Sequence, residues 1–206
     1  MSGPFDYAAN MKTLIEDIVS RCDVFQHIDM SLVLVGCVRA RNSANAGLYA
    51  RTVPLRFENG SLTTTKRGCV YRVPRVIHEG NEVLYIISFC LPRFQNLSFE
   101  DKITTVFHEL YHVSPQFDGD IRRFEGKHYV HGSQKKYDEL VKTFAQEYMD
   151  GQSRRGLIEF LKLSWEELSR DHDAIRWTIY RAPRPELIES EPIRATARKG
   201  KKGKRR

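Results

Sequence analysis

Residues 98–113 are the stretch that most constrains what this chain of 206 residues can fold into. Ser98 is a good N-cap residue, and Glu100 and Asp101 put negative charge on the first turn, where the helix dipole favours it. Ile103, Val106, Phe107 and Leu110 recur at i, i+3, i+4 and i+7, so the spacing predicts a helix with one face built for burial. The ring of Pro115 disfavours α geometry at Ser114 and ends that helix within a residue or two.

His108 and His112 stand four apart on an adjacent face, one turn above each other, with Glu109 beside them. Two imidazoles at that spacing can reach one tetrahedral zinc at about 2.0–2.1 Å, and a neighbouring carboxylate can take a proton from zinc-bound water. A surface helix that happens to carry two histidines is the plain alternative; the cap and the abutting apolar face argue against it. Zinc needs a third protein ligand, and a catalytic site leaves the fourth position to water. Residues 116–132 are polar and turn-rich and offer Asp118, Asp120, Glu125, His128 and His131. Asp118 lies six residues past His112, where the metzincin group of zinc proteases places its third ligand, but that group needs a glycine midway and this chain has Pro115. His131 is preferred, then His128, then Asp118. Asp138 or Glu139 could serve if His131 does not.

The run His108-Glu109-Leu110-Tyr111-His112, followed by Phe117-Asp118-Gly119-Asp120-Ile121-Arg122-Arg123 and then His131-Gly132, resembles the HExxH zinc metallopeptidases of phages and prokaryotes. It is similar, more loosely, to the SprT-like and Spartan zinc proteases. The resemblance covers about residues 30–150 and is specific between 98 and 132. It implies a zincin fold, bound zinc, Glu109 as general base, and His108, His112 and His131 as metal ligands. The four cysteines form no C-x-x-C pair, so the C-terminal zinc ribbon of some SprT-like proteins is missing here. That weakens the DNA-repair branch specifically.

The rest of the chain reads as scaffold. Residues 5–26 form an amphipathic helix, with Met11, Leu14, Ile15, Ile18 and Val19 on one side and too few cations opposite for a membrane surface. Residues 30–41 hold a short β-branched run, a largely buried strand. Residues 42–47 are a small polar loop. Residues 49–57 alternate as a strand near a sheet edge, since it tolerates Pro54, and Asn59-Gly60 is a turn. Residues 71–78 and 83–91 are two more strands, the second apolar on both sides and therefore central. Residues 133–149 form a second helix with Tyr137, Leu140, Val141, Phe144 and Tyr148 on one face. Ser164 and Glu167 make a capping box, residues 173–180 a last strand, and His172 a solvated or capping histidine.

The expected fold is therefore α+β and zincin-like: a small, mostly antiparallel or mixed sheet of about four strands packed on the HExxH helix and further helices. One domain spans residues 1–193. Its expected activity is hydrolysis of peptide bonds, with Glu109 activating water at the zinc and Tyr129, Tyr111 or Arg122 assisting at the oxyanion. By resemblance, an edge strand pairs with extended protein or peptide substrate. A non-catalytic nucleic-acid-associated module with structural zinc, or none, is the second reading; Glu109 argues against it, because a structural site has no need of that carboxylate. Nothing approaches a membrane-spanning run, no signal-peptide pattern opens the sequence, and four widely spaced cysteines read as free thiols suited to a reducing cytoplasm.

Residues 194–206 change character, with eight Lys or Arg and no acid, which leaves residues 1–193 at a net charge of −1. Such a tail is expected to be disordered and to attract nucleic acid weakly and without sequence preference. Deleting residues 194–206 should abolish low-salt DNA binding in a mobility-shift assay while zinc content stays unchanged. Equal DNA binding by the truncated chain would place the surface in the folded part.

Overall fold

The computed structural model describes residues 3–40, 47–123, 134–151 and 155–190. In chain order these hold β1 (Phe5–Asp6), α1 (Tyr7–Arg21), β2 (Val33–Arg39), β3 (Ala50–Pro54), β4 (Thr63–Lys66) and β5 (Cys69–Arg72). Then come β6 (Val76–His78), β7 (Asn81–Val83), β8 (Tyr85–Leu91), α2 (Phe99–Tyr111) and α3 (Gln134–Asp150). The short elements α4 (Glu159–Lys162), α5 (Trp165–Asp171), β9 (Ile175–Arg176) and β10 (Glu186–Ser190) complete the order. The architecture is mixed α+β with small sheets. No described helix is long and apolar enough to cross a membrane.

β8 is central, as its apolar run requires. It pairs in parallel with β2 and antiparallel with β3, giving the order β2-β8-β3, and all seven of its residues are buried. Side chains alternate between two faces. Val33, Val35 and Cys37 join Tyr85, Ile87, Phe89 and Leu91 in the main core, while Leu34 and Ile86 join Leu55 and Val83 in a smaller one. The main core also takes Met11, Leu14, Ile15 and Ile18 of α1, Ile103, Val106, Phe107 and Leu110 of α2, and Tyr137, Val141 and Tyr148 of α3. α1 is shorter than expected: Asp6 caps it by accepting from Ala9 N at 2.9 Å, and Cys22 ends it in an extended conformation.

Three expectations need correction. The sheet against α2 has three strands rather than four. The strand expected over 71–78 is two strands in two different sheets: β5 pairs with β4 and β10, and β6 pairs with β7. Pro74 explains the break, because it has no N–H to donate and restricts Val73 before it. The strand expected over 173–180 shrinks to β9, paired with β1. Beyond it the chain crosses β2 at Gly36, where Cys37 N donates to Thr178 O at 2.9 Å and an added Cβ would lie 2.7 Å from that oxygen.

The C-terminal elements are tied to the core by buried polar groups. Tyr7 Oη donates to Gln95 Oε1 at 2.6 Å, and Gln95 Nε2 donates to Phe160 O at 2.7 Å and Leu163 O at 2.6 Å. Lys102, only 2% exposed, donates from Nζ to Leu161 O at 2.8 Å and Leu163 O at 2.7 Å. α5 starts with the expected capping box between Ser164 and Glu167.

Burial pulls the Lys102 ammonium down from 10.5 to about 8. The folded protein therefore releases this proton at lower pH than the unfolded chain does, and stability grows as pH rises from 8 towards 10.5. In urea unfolding at pH 7 and pH 9.5, wild type should gain on Lys102→Met by on the order of 1 kcal/mol across that interval. A pH-independent difference would show that the buried amine does not titrate there.

Candidate active site

α2 presents its histidines where its own hydrogen bonding runs out. A helix leaves its last four carbonyls without intrahelical donors, and no glycine follows Tyr111 to close the turn. Donors arrive from elsewhere in the fold. Tyr137 Oη donates to His108 O at 3.3 Å and Thr52 Oγ1 to Glu109 O at 2.8 Å. Leu110 O, by contrast, is met locally, by Val113 N at 3.0 Å. Arg122 gives two bonds, from Nε to Tyr111 O and from its backbone N to His112 O, both at 2.7 Å. Its guanidinium also lies 4.1 Å over the Tyr111 ring, a cation set against the negative end of the helix.

The loop that brings Arg122 back is fixed at several points. Val113 and Ile121 form an antiparallel bridge. Gly119 N donates to Tyr85 Oη at 3.0 Å, and Tyr85 Oη donates to Asp120 O at 2.8 Å. Burial would raise the Asp120 carboxyl, but hydrogen bonds from Arg123, Ile121 N and Asn59 N outweigh it and hold the group below the usual carboxylate range.

On this base the two imidazoles converge, with His108 Nε2 and His112 Nε2 3.0 Å apart. The Tyr137 ring flanks both, and its Oη lies 3.5 Å from His112 Nδ1. With the Tyr137 proton directed at His108 O, its oxygen can accept a proton placed on His112 Nδ1, and that tautomer would leave the Nε2 lone pair facing the other imidazole. Two imidazole nitrogens aimed at one point are a donor set that suits zinc. Among the described residues no group of three His, Cys, Asp or Glu side chains gathers that could hold a metal ion.

Glu109 is 6% exposed, and burial pushes its carboxyl up to about 7 against a hydrogen bond from Thr52 Oγ1 to Oε2 at 2.9 Å. A carboxyl near neutrality can both accept and return a proton. An open groove of about 500 Å³ runs beside it, between Leu48, Tyr49 and Ala50 on one side and Thr104, His108 and Glu109 on the other.

The structure thus brings together His108, Glu109 and His112. His131, His128 and Tyr129 lie outside the described residues, as does the basic tail. Asp118 sits against the Asn59-Gly60 turn, where a Cβ on Gly60 would lie 3.1 Å from its own Cβ, and its Oδ1 accepts from Asp120 N. It is part of the loop's own turn. Asp138 and Glu139 lie on α3 and join no three-ligand group among the described residues. Tyr111 and Arg122 are engaged with each other and with the helix end. Sequence reasoning missed Thr52, which carries no motif, and read Tyr137 only as part of an apolar face.

The sequence profile of the family described as "Putative phage metallopeptidase" matches residues 5–147, a span that holds α1, the three-stranded sheet, α2 and most of α3. Searches of curated proteins and of solved structures find no match. With the profile covering well over half of its length, the chain belongs to the phage metallopeptidase family.

Proposed function

We propose that the protein is a zinc-dependent metalloendopeptidase of zincin type, in which His108, His112 and His131 hold the metal and Glu109 is the general base. The observation that carries this reading is the pair of Nε2 atoms 3.0 Å apart with a buried carboxyl on the very next residue, at the wall of an open groove. Bound zinc would supply Lewis acidity, acidifying a water and polarising the scissile carbonyl. Glu109 takes the proton from the attacking water and passes it to the leaving amine. Tyr137 orients His112 through Nδ1, and Arg122 fixes the helix end from which both histidines project.

The edge of β3 supports an extended substrate. Among the described residues β3 pairs only with β8. Tyr49 O and Leu55 N bond towards β8, so by alternation the backbone groups of Ala50, Thr52 and Pro54 face the open side. Ala50 and Thr52 each offer an N–H and a C=O, and Pro54, having no N–H, ends the ladder. Residues 1–193 form the catalytic unit in this reading and residues 194–206 an appended polyanion-binding tail. Four free cysteines suit a cytoplasmic enzyme.

Elemental analysis of protein purified without a metal-binding tag should find about one zinc per chain, lost in His108→Ala and in His112→Ala. Retention of the metal in both variants would remove the basis of the proposal. Glu109→Gln should keep zinc while proteolysis falls about 100-fold or more. In a parallel series, His131→Ala should lose metal more severely than His128→Ala or Asp118→Ala; an Asp118 variant that alone emptied the site would favour the metzincin-like ligand set.

A further inference from the structure

We propose that Thr52 is a positioning residue that couples a peptide held on the β3 edge to the orientation of the Glu109 carboxylate, an inference that rests on the peptidase reading above. The single hydroxyl proton of Thr52 is shared, as a three-centre bond, between two acceptors of the same distant residue: Oγ1 lies 2.8 Å from Glu109 O and 2.9 Å from Glu109 Oε2. The first contact fixes the strand against the helix backbone. The second folds the carboxylate back towards that same point, so Oε2 is held and Oε1 is the oxygen left to meet a water in the groove. Threonine suits this task, because its β-branched side chain in a strand has few χ1 states and aims the hydroxyl at little entropic cost.

Thr52 also sits at the middle of β3, where its own N–H and C=O face the edge that no other described strand pairs with. A peptide bonded to those two groups is held one residue's side chain away from the base. Substrate position and base orientation thus share a single residue, and neither can shift without the other. A serine at this position would keep both contacts, and a valine would keep the shape and lose both.

The test uses full-length, zinc-loaded protein with quenched-fluorescent β-casein as substrate. Thr52→Val should lower kcat about 10- to 100-fold with KM within about twofold and zinc content unchanged, and Thr52→Ser should restore kcat to within about threefold. A purely structural contact would instead lower the melting temperature and zinc content along with activity, with no selective loss of kcat. Wild-type kcat in Thr52→Val, a loss carried by KM or by lost metal, or a Thr52→Ser variant as slow as Thr52→Val would each overturn the assignment. Glu109→Gln, run alongside, separates the two layers. No cleavage by the zinc-loaded wild type sinks the peptidase reading itself, wild-type cleavage by Glu109→Gln sinks Glu109 as its base, and an inactive Glu109→Gln beside a fully active Thr52→Val sinks the role of Thr52 alone. In metal-free protein, the melting-temperature losses of Thr52→Val and Glu109→Ala should be less than additive, since each removes the same hydroxyl–carboxylate bond. Full additivity would show that the bond does not form.

Discussion

The carbonyls left without intrahelical donors at the C-terminal end of α2 are the constraint on which the rest of the site depends. A buried carbonyl left without a donor costs about 1–3 kcal/mol, more than a typical hydrogen bond contributes when made. Here the donors are side chains of β3 and α3 and both the backbone and the side chain of the returning loop. Satisfying the helix end therefore places three separate parts of the chain around His108, Glu109 and His112. Ordinary capping by glycine would have closed the same carbonyls without recruiting any of them.

What the sequence revealed depended on how local the cause was. Ser98 caps α2 by accepting from Asp101 N, and Ser164 and Glu167 cap α5 reciprocally; both follow from residues three apart. The centrality of β8 followed from its unbroken apolar run. By contrast, the separation of β5 from β6 turns on one proline whose effect is readable only once β4 and β10 are known to compete for pairing. β10 carried no signal at all, being exposed along its whole length. Thr52 and Tyr137 reach the site across 57 and 29 residues of chain, and nothing in a one-dimensional pattern announces such contacts.

The family match ends at residue 147, yet the fold does not. Gln95 and Lys102, both buried, spend their donors on carbonyls of residues 160–163. Removing the C-terminal segment would leave an amide and an ammonium in the core with no acceptors, one turn from the N-terminus of α2. The segment past the matched region is thus part of what holds the site-bearing helix in place, rather than an appendage to it.

A strand edge such as that of β3, which pairs with no second strand among the described residues, is a template for another copy of the same protein. Unprotected, β3 could seed edge-to-edge stacking and insoluble assemblies. It is five residues long, carries the exposed cation of Arg51 next to its first residue, and ends in Pro54, which interrupts any ladder running along it. Brevity, charge and proline each work against polymerisation through that edge.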